Sequence, residues 1–167
     1  MKLKMKYFNI TYPDVNNGIG CRCSLWISGC THHCKGCHNK ETWNFSSGKE
    51  FTSETKDKLF NILKLPYIKG LTLTGGDPLD SFDDVLTLVI DIKSFFKDKD
   101  IWLYTGYSLE DIKNSNKSDI LSYVDFIVDG EYKESLRDVS IAFRGSTNQI
   151  IWEKDENNRW FESVLNN

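Results

Sequence analysis

No apolar stretch of this chain approaches the ~20 residues that a membrane-spanning helix needs, so no membrane partner is expected. Positive charge is not in excess either. At a formal charge of −3, neither nucleic acid nor an anionic lipid surface finds an electrostatic footing, and neither is expected as a partner. No internal repeat, low-complexity tract or Pro/Gly-rich linker divides the sequence. One domain is therefore expected over 1–167, with a core over about 18–152, an N-terminal extension over 1–17 and a C-terminal tail over 153–167. Its 167 residues make room for one sizeable hydrophobic core and little more. The opening Met1-Lys2-Leu3-Lys4-Met5-Lys6-Tyr7 is basic but has no apolar segment and no cleavage site, so a cytoplasmic location is expected rather than secretion. Five cysteines, three of them within eight residues, suit a reducing compartment holding a metal better than a disulfide framework.

Those three cysteines are the strongest feature present. The stretch Gly29-Cys30-Thr31-His32-His33-Cys34-Lys35-Gly36-Cys37 is a C-x3-C-x2-C array, whose short spacings curl the thiolates around one object. The array is one ligand short of a closed structural site, and a catalytic site keeps such a position open. Three thiolates can hold three irons of a [4Fe–4S] cluster and leave the fourth iron open to an external ligand. Zinc bound by the three cysteines plus His32, His33 or His38 is the chemically possible minority reading, since Cys3His is a common structural site. The array alone leaves both open.

Along the chain, residues 1–17 read as an extension or edge strand. Cys21, Cys23, Leu25 and Ile27 alternate with Arg22, Ser24 and Trp26, which predicts a strand and puts Cys21 and Cys23 on its core face as small buried hydrophobes. Thr52-Ser53 opens a predicted helix with Leu59, Phe60 and Leu63 on one face, stopped at Pro66. A strand over Leu71–Thr74 ends in Gly75-Gly76-Asp77-Pro78. Ser81 and Asp84 resemble a capping box ahead of a helix carrying Phe82, Val85, Leu86, Val89, Ile92 and Phe96 at helical spacing. A strand over 101–106 precedes a helix from Ser108 to about Leu121, broken near Asn114-Ser115-Asn116. Val124–Val128 is a further strand, closing at Asp129-Gly130. Residues 155–159 read as a loop, and Asn166-Asn167 as a frayed end. Alternating strands and helices predict a parallel sheet with crossover helices. Ligands gather at the carboxyl ends of such strands, where the cysteine loop, the turn at 75–78, Thr105-Gly106 and Asp129-Gly130 all fall.

A C-x3-C-x2-C array after one strand and a Gly-Gly-acid-Pro turn after the next resembles the radical S-adenosylmethionine superfamily. The blocks Cys23–Trp43, Leu71–Leu79, Ile101–Tyr107, Val128–Gly130 and Arg144–Gln149, in that order, are similar to the activating proteins of anaerobic (class III) ribonucleoside-triphosphate reductases. The likeness runs from about Gly18 to Trp152. The cysteine array alone marks a very large superfamily, whereas the five blocks in order are far more specific.

The resemblance implies an α/β fold, a short, open parallel β/α barrel. It implies a [4Fe–4S] cluster whose open iron chelates S-adenosylmethionine. An electron from a flavodoxin-like donor would cleave the sulfur–C5′ bond. The 5′-deoxyadenosyl radical would then take hydrogen from a backbone glycine of the large reductase subunit, releasing methionine and 5′-deoxyadenosine. Carried over residue by residue, Cys30, Cys34 and Cys37 bind the cluster. The backbone of Gly75-Gly76-Asp77-Pro78 receives the methionine amino group. Asp77 stands where many relatives have Glu, and initiating the turn before Pro78 is its other reading. Gly36 and His38 flank Cys37 where adenine would pass. Gly36 matches the reductase activators, while His38 stands where relatives often carry Tyr. Asp129 has two readings, contact with ribose hydroxyls or a strand-end cap. Arg144 would fix S-adenosylmethionine or receive the partner's glycine loop, and Ile150 stands where relatives often have Arg. His32 and His33 are expected on a solvated loop, and the five tryptophans in packing. The rival readings are an activator of another glycyl radical enzyme, whose extra cysteine pairs are missing here, and a zinc-bound interaction module.

Overall fold

The computed structural model describes residues 3–167. Eight strands build one sheet: β1 (Lys6–Asp14), β2 (Arg22–Ile27), β3 (Lys49–Glu50), β4 (Gly70–Gly75), β5 (Asp100–Tyr104), β6 (Phe126–Asp129), β7 (Ile150–Lys154) and β8 (Trp160–Glu162). Their order across the sheet is β3-β1-β2-β4-β5-β6-β7-β8. The centre, β2-β4-β5-β6, is parallel throughout. Its connections carry α1 (Ser53–Leu63), α2 (Phe82–Phe95) and α3 (Leu109–Lys113), as the alternation requires. Antiparallel strands flank it on both sides. Because β3 and β8 end the order without pairing each other, the α/β sheet is open.

Side-chain alternation gives the parallel strands two buried faces. On one, Cys23, Leu25, Ile27, Leu71, Leu73, Ile101, Leu103 and Ile127 form the main core with α1 and α2. There Val85, Leu88, Val89 and Ile92 are fully buried. Cys23 lies in this core and burial pushes its thiol up to about 12, while Cys21 packs against its edge. The other face is polar as well as apolar. Trp102, Val128 and Ile151 form a second cluster, and Trp102 stacks on Phe126 at 4.5 Å. Arg22 is buried beside them. Its Nε donates to Thr72 Oγ1 at 2.8 Å, its Nη2 to Leu71 O at 2.9 Å, and the guanidinium lies 2.6 Å from Asp100 Oδ1. A buried cation needs this full set of partners to offset its lost hydration.

Local signals account for most element ends. The Thr52 hydroxyl accepts from Thr55 N and starts α1. Ser108 and Asp111 form a reciprocal capping box at α3, which stops at Asn114 before a short 3-10 turn over Ser118–Ser122. The pairing of Ser81 with Asp84 does not form. Ser81 makes no cap bond, because Asp77 caps the 3-10 turn over Pro78–Ser81 that runs straight into α2. Asp84 instead accepts from Lys4 N and Met5 N at 2.8 and 2.6 Å, tying the N-terminal segment to the helix. Nor is the C-terminus frayed. Asn166 Oδ1 accepts from Ile151 N and its Nδ2 donates to Ile151 O, both at 2.8 Å.

Candidate metal centre

The parallel strands deliver their carboxyl ends to one rim, where a cleft of about 140 Å³ opens. Its lining draws on every one of those ends: Cys30, Cys34 and Cys37 after β2, Gly75–Asp77 after β4, Thr105 and Gly106 after β5, and Gly130–Tyr132 after β6. The cysteine loop is pinned by backbone. Gly29 N donates to Thr42 O, Cys30 N to Trp43 O, and Asp77 N back to Gly29 O at 2.6, 3.0 and 2.8 Å. Cys37 N donates to Cys34 O at 3.1 Å, and Asn39 N points at Cys37 Sγ at 3.4 Å. Gly36 takes a positive φ of 76° beside Cys37, a conformation that favours glycine.

Burial pushes the Cys30 thiol up to about 11, against backbone donors from His32 and His33, and it raises Cys34 as well. Neither thiol is a spontaneous nucleophile at neutral pH, whereas a metal deprotonates a coordinating thiol outright. Among the described residues no three His, Cys, Asp or Glu side chains converge closely enough to share one metal ion. Three cysteines around one cleft are a donor set that can hold three irons of a cluster and leave a fourth open.

Asp77 is the hub of the rim. Its Oδ1 accepts from Leu79 N at 3.0 Å, the geometry of a turn initiator, and Thr105 Oγ1 donates to both carboxylate oxygens at 3.0 and 2.9 Å. Gly106 N donates to Oδ2 at 2.8 Å. His32 completes the set, with Nε2 at 2.8 Å from Asp77 Oδ2 and Nδ1 at 2.8 Å from Glu131 Oε1. Both partners are carboxylates and only accept, so both ring nitrogens donate. The Asp77 hydrogen bond first, then Glu131, hold the imidazole up at about 9 against desolvation. His32 is thus no solvated loop residue. His33 is not free either, since it stacks on Trp43 at 4.6 Å, and Trp43 itself borders the cleft.

The structure brings Cys30, Cys34, Cys37, Gly75, Gly76 and Asp77 together at the cleft. Pro78 is buried just behind, as the first residue of its 3-10 turn. Gly36 and His38 stand outside the lining, with the His38 ring 5.6 Å from that of Tyr132. Asp129 points away. It shares the helix-facing side of β6 with Ile127, and its carboxylate accepts from Leu109 N at 2.7 Å, capping α3. Arg144 is likewise engaged elsewhere, donating to Gln149 O and Asn166 O at 3.2 Å. Sequence reasoning put His32 on a solvated loop and did not single out Glu131 or Tyr132. Their one signal was position, a few residues beyond the strand ends that carry the expected ligands.

A family profile described as a 4Fe-4S single cluster domain matches residues 16–152. The chain is 45% identical over 154 residues to the anaerobic ribonucleoside-triphosphate reductase-activating protein of Enterobacteria phage T4, covering 91% of this chain and 96% of that one. The protein of the same name from Vibrio cholerae is 47% identical over 145 residues, covering 84% and 93%. That of Escherichia coli K12 is 40% identical over 151 residues, covering 88% and 97%. The site and the likeness agree: the chain belongs to the family of anaerobic ribonucleoside-triphosphate reductase-activating proteins and carries its 4Fe–4S domain.

Proposed function

We propose that this chain is an activase that generates a glycyl radical on an anaerobic ribonucleoside-triphosphate reductase, acting in the cytoplasm as one domain over 1–167. The observation that carries the reading is the three-cysteine array opening on a cleft ringed by four strand ends. A [4Fe–4S] cluster with S-adenosylmethionine supplies one-electron cleavage of a sulfur–carbon bond and, from it, hydrogen abstraction from a partner glycine. Cys30, Cys34 and Cys37 would hold three irons. Gly75 and Gly76 line the cleft, and since the Gly76 and Asp77 amides already donate to Ile27 O and Gly29 O, it is the carbonyls of the turn that would accept from a ligand at the fourth position. A Cβ on Gly76 would stand 2.3 Å from Gly29 O, so only glycine lets this turn press against the cysteine loop. The Asp77 carboxylate is fully engaged within the protein, which leaves the turn's backbone to receive the methionine amino group. Gly36 and His38 lie beside Cys37, where the paired rings of His38 and Tyr132 offer a wall for adenine. Asp129 and Arg144 serve the fold around the site, as the cap of α3 and the anchor of the C-terminal segment. The open sheet is read as the short, open parallel β/α barrel of radical S-adenosylmethionine enzymes, with a flavodoxin-like protein as electron donor.

Anaerobic reconstitution with iron and sulfide, then reduction with S-adenosylmethionine, tests the reading. 5′-Deoxyadenosine is expected from the wild type and none from Cys34→Ala. No product from the wild type, or equal product from the variant, overturns the mechanism. One zinc and no iron after anaerobic purification overturns the cofactor.

A further inference from the structure

We infer that His32 is a positioning residue, a clasp that closes the rim and sets the opening into which S-adenosylmethionine fits; the inference rests on the function proposed above. One imidazole spans the rim. It belongs to the loop after β2, meets Asp77 after β4, and through the same Oδ2 joins Gly106 N after β5. Its other nitrogen reaches Glu131 after β6. All four of these loops line the cleft, so this ring is a side-chain tie across all of them, added to the backbone bond from Asp77 N to Gly29 O.

Three further observations show a place made for it. A Cβ on Gly106 would meet the His32 ring at 2.7 Å, so the imidazole occupies the space a side chain there would take. Tyr107 packs edge-on against the ring at 4.6 Å. Tyr107 is itself held by its hydroxyl, which donates to Asp80 Oδ1 at 2.7 Å. The second oxygen of Asp80 accepts from Thr31 N at 2.7 Å, one residue before His32. The ring therefore sits among Asp77, Gly106, Tyr107 and Glu131 at the cleft rim. The bond to Asp77 joins a ring 11% exposed to a carboxylate 2% exposed and is the stronger of the two, whereas Glu131 is 54% exposed and its bond is screened by solvent.

Three variants of the full chain, reconstituted anaerobically, test this: His32→Ala, Gly106→Ala and the double variant. The readouts are iron per chain, the dissociation constant for S-adenosylmethionine by equilibrium dialysis, and the change the cofactor makes in the EPR spectrum of the reduced cluster. His32→Ala is expected to keep wild-type iron, weaken binding by about tenfold or more and diminish the EPR change. Gly106→Ala displaces the same ring and is expected to weaken binding similarly, with the double variant no worse than His32→Ala. If His32→Ala does not fold by circular dichroism, Glu131→Ala removes only the Nδ1 partner and is expected to weaken binding about threefold. Binding within about twofold of wild type, additive losses, or iron as low as in Cys34→Ala would each overturn the clasp. Wild-type protein that binds no S-adenosylmethionine would overturn the proposed function instead.

Discussion

Asp77 accepts hydrogen bonds from Leu79, Thr105, His32 and Gly106 and is almost fully buried. Asp77→Asn turns one acceptor into a donor facing other donors. Its expected cost is about 1–3 kcal/mol in urea unfolding of the apoprotein. At the other end of the parallel strands, Arg22→Met strips the partner from Asp100 and leaves Thr72 and Leu71 O short of a donor. A loss of about 3 kcal/mol is expected in the same measurement. Which residues were legible follows from the reach of their contacts. Cys30, Cys34 and Cys37 are brought together by local spacing alone, and the sequence displays that spacing. His32 is defined by partners 45 and 99 residues away, which no local pattern encodes. Asp129 carried two readings, ribose contact or a strand-end cap, and its bond from Leu109 N favours a capping role. Its parity with Ile127 puts it on the helix-facing side of β6.

Among the elements, capping chemistry carries the boundaries and core packing carries the stability. Ser108→Ala removes one half of the capping box of α3 and is expected to cost about 1 kcal/mol. Leu73→Ala, in the middle of fully buried β4, is expected to cost about 2–5 kcal/mol. Thermal unfolding of the two variants side by side checks that order. The parallel strands and α2 were readable because each repeats its apolar period over several residues. The pairing of Ser81 with Asp84 matched a local pattern but lost to geometry, since Lys4 and Met5 claim the Asp84 carboxylate across the fold. Strands β7 and β8 are short and half-exposed, and their register comes from pairing with β6 and each other, so no period announced them.

For the whole molecule, the proposed function carries the expectation that a partner finishes the site, because the sheet is open and a radical formed at the rim would need shielding from water. The cleft of about 140 Å³ is below the roughly 300–1,000 Å³ of ordinary small-molecule sites. Cleavage of S-adenosylmethionine by the isolated chain is therefore expected to be slower, and less tightly coupled to hydrogen abstraction, than in the complex with the reductase. Steady-state 5′-deoxyadenosine release with and without the reductase checks this. The central claim has a more direct test in the EPR spectrum of an anaerobic ribonucleoside-triphosphate reductase incubated with the reduced, reconstituted chain and S-adenosylmethionine. A glycyl radical signal that depends on S-adenosylmethionine and disappears with Cys34→Ala is expected. A reductase that stays silent beside a fully loaded chain, or a signal that survives loss of Cys34, would contradict it.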